Sequence, residues 1–346
     1  MTYYAGLDVS LREVSVCVID DDGQIKARGT MPADPMAVAS WFETRDLHPK
    51  VIVHESGQLS IWLQRGFLAL DLPAVCIDAR RAHKSLSARI NKSDASDAEG
   101  LAQLARTGWF TPVYIRSIDA DRVRTLVAAR ERMIRLRKDL EGHVRGVLKT
   151  FGIRMSGITK GKLRQNFRDQ LAAAGEKDPI LHTLADSFID IHARLCQAAI
   201  DLEKALKAKA AAHPIAKRLM TIPGVGPLVS LSFIALVEDP GRFTKSSDVG
   251  AFLGLTPKRF QSGEVDWSGR ISKQGDTAMR SLLVDAAATL IQNVKRMSAL
   301  KSWAIRLAGR KGFRKAAVAT ARKIAVLMLA LWKQGTEFKS TMNATA

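Results

Sequence analysis

Cysteine is scarce in this 346-residue chain: Cys17, Cys76 and Cys196 all lie in apolar surroundings, and no Cys-x-x-Cys occurs. That argues against a disulfide framework or a cysteine zinc site as the organising device. Long apolar runs are also missing, because the longest near the C-terminus, Ala316 to Trp332, is broken by Arg322 and Lys323. It reads as a buried or docking helix, and membrane insertion is set aside. Met1 leads straight into an alternating pattern with no basic leader, apolar core or cleavage site, so a cytoplasmic protein is expected. Acids are few relative to bases, 34 Asp and Glu against 53 Lys and Arg, for a net charge of +19. A polyanion is the commonest partner of such an excess, which favours nucleic acid.

What is present suffices for folded cores: 47% of residues are apolar. The length exceeds the roughly 250 to 300 residues at which single cores stop growing, so at least two units are expected. Residues 3 to 30 alternate in three runs, Tyr3 to Val9, Glu13 to Asp20 and Gln24 to Thr30, with Asp21-Asp22-Gly23 as a turn. They predict an antiparallel meander. A helix near Pro35 to Thr44, a strand at Val51 to Val53, a helix over Leu59 to Leu70 and a strand at Ala74 to Ile77 follow. This order matches an RNase H-like α/β core within residues 1–115.

Residues 116–212 change character. Leu126, Met133, Leu140 and Val147 recur at seven-residue spacing. After the Gly152 to Gly161 segment, so do Leu181, Phe188, Leu195 and Leu202, each with an apolar residue three positions on. The spacing predicts a helical coiled-coil arm whose two runs pair as a hairpin. The plainer alternative is that both helices pack within a globular body. A third region, residues 213–346, is mainly α-helical and basic, with 16 Lys and Arg against four acids between Lys258 and Lys333. Polyanion binding should concentrate there.

Four acids are candidates for chemistry. Asp8 interrupts an apolar strand, where a carboxylate is costly unless paired or bound to a cation. Glu55 ends Val51-Ile-Val-His-Glu55, where a side chain projects past a sheet's carboxyl edge. Asp94 and Asp97 share one face of a helix beginning near Ser93. Hard carboxylate oxygens on two strands and one helix suit Mg²⁺ and phosphoryl transfer. Singly each has a plainer reading: Asp94 and Asp97 as macrodipole-favoured acids with Ser93 as cap, Asp8 as turn-adjacent, Glu55 as a solvated strand end. In the basic region, Ile222-Pro-Gly-Val-Gly-Pro227 resembles a helix-hairpin-helix turn whose Gly224 and Gly226 let backbone amides approach a phosphate. An ordinary turn between packed helices is the alternative. Further on, a Ser262-Gly263 pair is ringed by Lys258, Arg259, Arg270, Lys273 and Arg280, cations suited to a phosphate and to a developing alkoxide. A turn serine is the bland reading.

Taken together, these residues resemble the DEDD-type insertion-sequence transposases, the IS-one-ten family, which includes the Piv-type DNA invertases. The resemblance covers nearly the whole chain and rests on Asp8, Glu55, Asp94 and Asp97 in the order of the family's acidic tetrad. In the C-terminal part it rests on Ile-Pro-Gly-Val-Gly-Pro, Leu253-Gly-Leu-Thr-Pro257, the Ser-Gly pair and Gly269-Arg-Ile-Ser-Lys-Gln-Gly275. It implies a RuvC-like catalytic domain, Mg²⁺, a C-terminal transposase domain and a covalent serine nucleophile, matched here by Ser262. This chain reads Gln261-Ser-Gly-Glu-Val265 where the family commonly has Ser-Ser-Gly-Gly-Lys, so Ser268, also before a glycine, stays a weaker candidate. The resemblance implies element-end and target DNA as partners, allows a structured guide RNA, and implies homodimers or homotetramers through the arm. The expected activity is cutting and rejoining of DNA by a nucleoid-associated enzyme. The alternatives are a metal-dependent junction nuclease using water, and a non-enzymatic architectural binder whose acids only cap helices.

Overall fold

The alternation from Tyr3 onward builds β1 (Tyr3–Val9), β2 (Glu13–Ile19) and β3 (Ile25–Pro32), paired antiparallel as predicted. The computed structural model describes residues 1–86, 94–155, 163–262 and 265–340, which form two compact units, Met1–Arg116 and Ser117–Ala346. After the meander come α1 (Pro35–Glu43), β4 (Pro49–Glu55), α2 (Ser60–Ala69), β5 (Ala74–Ile77), α3 (Ala79–Leu86) and α4 (Asp94–Thr107). Asp34 starts α1 by accepting the Met36 and Ala37 N–H groups at 2.9 and 3.2 Å, with Pro35 at the first helical position. Strand order is β3-β2-β1-β4-β5, with β1, β4 and β5 parallel. This is the RNase H-like arrangement expected from the order of elements.

Period-two alternation gives the sheet two faces. Ala5, Leu7, Val16 and Ile52 face one way and pack against Val38 and Phe42 of α1 and Leu63 and Phe67 of α2. Cys17, Ile19, Val53 and Ile77 face the other way and are covered by Ala98, Leu101, Ala102 and Ala105 of α4. None of the three cysteines forms a disulfide, and burial pushes the Cys76 thiol up to about 11.

The second unit begins with α5 (Ile118–Thr150), α6 (Leu163–Gly175) and α7 (Pro179–Ala212). Ser117 caps α5 by accepting the Ala120 N–H at 3.1 Å. Helices α5 and α7 run antiparallel: Arg130 pairs with Glu203 at 2.9 Å, Glu141 meets His192 at 3.0 Å, and Val144 and Leu148 cluster with Leu181 and Ala185. On α7 the heptad residue Leu181 is buried, with Leu184 and Phe188 packed against the same cluster, but on α5 the buried seam is not the heptad stripe. On α5 it comprises Val123, Arg137, Glu141, Val144 and Leu148, while Leu126, Met133, Leu140 and Val147 stay half-exposed. Part of the cause is α6, whose Phe167, Leu171 and Ala174 join the same cluster and draw burial round the helix. Much of the expected Gly152 to Gly161 link, from residue 156 on, lies outside the described residues.

The chain then forms α8 (Pro214–Leu219), α9 (Pro227–Val237), two short 3₁₀ turns, α10 (Val249–Phe252), β6 (Pro257–Ser262), β7 (Val265–Ile271), α11 (Thr277–Gln292), α12 (Ala299–Lys311) and α13 (Phe313–Gln334). Its main core gathers Ile222, Phe233, Val249, Leu283, Ile324 and Met328. Where a separate domain was expected to begin at residue 213, no break occurs. His213 ends α7 and caps α8, and Ala120, Leu206 and Ala210 of the arm pack with Ala216, Leu231 and Ala235. The hairpin β6–β7 was not expected in a region read as helical. No helix among the described residues is long and apolar enough to cross a membrane.

Candidate active site

Asp8 and Glu55 occupy adjacent strand ends. Parallel pairing of β1 with β4 runs to Leu7↔His54, so the next residue on each strand is one of these acids. Alternation from Gly6 and Val53, which face α4, puts both carboxylates on that side of the sheet. Both are half-buried. Neighbouring His54 faces the opposite side, where its Nε2 lies 2.7 Å from Gln64 Oε1 and burial holds its pKa below the usual value.

Helix α4 supplies the other two acids, and its direction follows from its contacts. A Cβ on Gly6 would stand 2.1 Å from Ala98 O and 2.3 Å from Ala102 N, so glycine lets the helix backbone lie directly on β1. At the far end of α4, the Gln103 amide donates to Gly23 O at 3.3 Å and Arg106 to Asp21 O at 3.1 Å. The turn holding Asp21 and Gly23 lies beyond Ile19, opposite the start of β1. The helix therefore runs antiparallel to β1, and its first turn, with Asp94 exposed and Asp97 half-buried, comes over the edge where Asp8 ends. Arg28 of β3 holds the helix laterally through Glu99 at 2.5 Å. Ser93, the expected cap, lies outside the described residues.

A further acid belongs to this edge. Glu55 pairs with Ile77, so Asp78 is the residue after β5, half-buried and 3.8 Å from Arg80. Its signal in the sequence is the one that marked Glu55, an acid following an apolar strand. Among the described residues no three His, Cys, Asp or Glu side chains lie close enough together to hold a metal ion. The donors nonetheless suit a divalent cation of the Mg²⁺ kind, which commonly takes one or two protein carboxylates and completes its shell with water and substrate phosphate.

Ser262 lies in the other unit, at the end of β6, a strand exposed along its whole length. It pairs with Val265, while Gly263 and Glu264 lie outside the described residues. Ser268 is exposed on β7, opposite Arg259. Phe260 and Trp267 stack across the hairpin with ring centroids 4.3 Å apart. Arg259 pairs with Asp266 through two bonds of 2.9 and 2.5 Å, which holds that carboxyl below the usual aspartate range and raises the guanidinium. Lys258, Arg270 and Lys273 are exposed.

Arg280 is a correction to the expected phosphate contacts. It is buried, and its Nη1 donates to the carbonyls of Leu253, Gln274 and Gly275 at 3.2, 3.3 and 3.0 Å. The guanidinium clasps the base of the hairpin, where Gly254 and Gly275 allow two backbone segments to touch. A Cβ on either would lie within 2.2 Å of a carbonyl oxygen, and both have positive φ. Gly224, with φ of +91°, packs against Ala286 O, whereas Gly226 opens onto free space at the start of α9.

A family model for DEDD transposases matches residues 5–153, and the model described as "Transposase IS116/IS110/IS902 family" matches residues 216–304. The transposase for insertion sequence element IS1111A of Coxiella burnetii is 29% identical over 331 residues, 94% of this chain and 88% of that one. A putative transposase of Sinorhizobium fredii, y4pF/y4sB, is 33% identical over 256 residues, 72% of this chain and 64% of that one. A Thermus thermophilus RuvC bound to a Holliday junction overlays on 33% of this chain and all of its own, with a TM-score of 0.25 and 13% identity, too slight a likeness to bear on the reading.

Proposed function

We propose, from the premise that this chain belongs to the DEDD transposases of the IS116/IS110/IS902 family and so is an enzyme acting on DNA, that it cuts and rejoins DNA through Asp8, Glu55, Asp94, Asp97 and Ser262. The observation that carries the reading is the course of α4, antiparallel to β1 across Gly6, which brings Asp94 and Asp97 over the strand ends bearing Asp8 and Glu55. The family implies a divalent metal, and Mg²⁺ held by these acids would stabilise charge on the scissile phosphate.

The protein's own groups perform the exchange. The acids orient the phosphodiester, and Ser262 Oγ bonds to phosphorus while the proton it gives up ends on the departing strand oxygen, which leaves as a hydroxyl. A hydroxyl of the new strand then attacks the phosphoserine, freeing Ser262 and restoring one phosphodiester for each one broken. No nucleotide cofactor is needed, because ester energy is retained. Arg270 and Lys273, both exposed near the hairpin base, steady the phosphate.

A half-exposed stripe on the arm, including Met133, Leu140 and Val147 with exposed Ile180 and Ile191, is the surface through which copies associate as dimers or tetramers. The excess of cations also suits a structured guide RNA. Trapping the adduct on element-end DNA tests the nucleophile. Ser262→Ala should abolish it with DNA binding kept, whereas Ser268→Ala should retain it. An adduct persisting in Ser262→Ala would remove that residue from the mechanism, and cleavage to free ends without any adduct would favour water as nucleophile.

A further inference from the structure

We infer that the cleft between the β6–β7 hairpin and helices α12 and α13 binds a single DNA strand, with phosphates against its cations and bases against its apolar floor. The identity of the polymer rests on the reading of the chain as an enzyme acting on DNA; the character of the site does not. Its volume is about 1770 Å³, beyond the roughly 300 to 1,000 Å³ of small-molecule sites. A polymer segment is the ligand that size suits.

Among the described lining residues, charge is of one sign. Arg270, Lys273, Arg314, Lys315, Arg322, Lys323 and Lys339 line the cleft, and among the described residues no acid lines it. Among the described residues none of these seven forms an ion pair. The sequence between Asp285 and Glu337 holds 11 Lys and Arg and no acid, so neutralisation from within α12 and α13 is excluded. Uncompensated cations in a concave wall are stabilised by a polyanion. On α13 they fall in two pairs, 314–315 and 322–323, two helical turns or roughly 12 Å apart along one face.

The floor separates single strand from duplex. Leu300, Trp303, Val318, Val326 and Leu327 line it, and a duplex, which turns its phosphates outward, has no use for such a surface. An unpaired strand presents both phosphates and base faces, the combination met by cationic grooves with aromatic side chains. Lys323 Nζ lies 3.8 Å from the centroid of the Trp303 ring, so the floor itself carries a cation for a ligand at once charged and aromatic. Strand exchange creates such a ligand, because cutting one strand frees an end that must be held until it is rejoined.

The test compares binding of a labelled DNA strand, its duplex and the matching RNA strand to the full-length chain across a salt series. The DNA strand should bind most tightly. Arg314→Gln with Lys315→Gln, both exposed positions, should weaken it roughly tenfold and lower the slope of log K against log salt by about 1.4, the loss of two single-strand phosphate contacts. Trp303→Leu should weaken it roughly tenfold as well. The charge-matched pair Arg306→Gln with Arg310→Gln, exposed on α12 outside the cleft, should cost less than about twofold. Equal losses from the two double variants, duplex bound as tightly as single strand, or RNA bound more tightly than DNA would each overturn the inference. Asp8→Ala in a recombination assay separates the two readings: if it recombines normally the acidic edge falls as the catalytic site while the binding result stands.

Discussion

Asp8 and Glu55 stand half-buried at the edge of a five-stranded sheet with a helix backbone pressed onto it, whereas Ser262 stands at the end of a strand whose six residues are all exposed. The difference fits the demands of the two roles proposed for them. Acids that position a phosphate must hold their geometry, and packed elements supply that rigidity. A serine proposed to bond to DNA has to be reachable by a large ligand, and an exposed ribbon held at its base allows it. That anchoring is itself rigid, made by the Arg280 clasp and the contact of Gly254 with Gln274.

The comparison breaks first at Asp8. Asp8→Asn keeps the shape and removes the charge, and should reduce recombination by roughly a thousandfold, the upper scale for one charge-stabilising group. Its melting temperature should stay near that of the parent; unchanged recombination would exclude the acidic edge as the site. Next comes Gly6→Ala, whose Cβ meets helix backbone and not a yielding side chain. It should cost about 3 kcal/mol or more in the first unit, at or above the upper end for overpacking, as read from urea unfolding. Gly254→Ala, with φ of +66° and Gln274 O only 2.0 Å from the added carbon, should cost a similar amount in the second unit.

A smaller effect sharpens the contrast between sheet and ribbon. Trp267→Ala removes the stacked pair with Phe260 and should cost about 0.5 to 1.5 kcal/mol. Hydrogen exchange should show it as faster opening of the β6–β7 amides alone; loss of protection across α11 to α13 would mean that the ribbon belongs to the core. The smallest effect concerns pH. Burial, opposed by the bond to Glu141, leaves the folded His192 pKa below the ordinary 6.5. The unfolded chain therefore takes up a proton first as pH falls, so stability is full above about 6.5 and declines below it. His192→Gln should flatten that decline in thermal scans between about pH 5 and 8, and an unaltered profile would exclude His192 as its source.

Much of the first unit was legible because one buried face imposes a pattern. The period of two in residues 3 to 30 foretold the meander, and the acids stood out as interruptions of apolar strands. The ribbon was illegible for the converse reason: with β6 exposed along its whole length, no hydrophobic alternation marks it, and the cross-strand aromatics were the only local clue. The arm falls between. Its seven-residue spacing foretold two long helices, yet on α5 the buried seam lies off that spacing, in part because α6 packs into the same cluster.

From its residues alone the chain determined an excess of positive charge, a mixed sheet followed by helices, and the acids and serine worth testing, since charge and periodicity are local properties of a sequence. The tertiary structure alone decided the rest. It set the direction of α4 across Gly6, turned Arg280 inward to carbonyls, and gathered cations far apart in sequence into one cleft. Each of these depends on which distant backbones come into contact, and no local pattern carries that information.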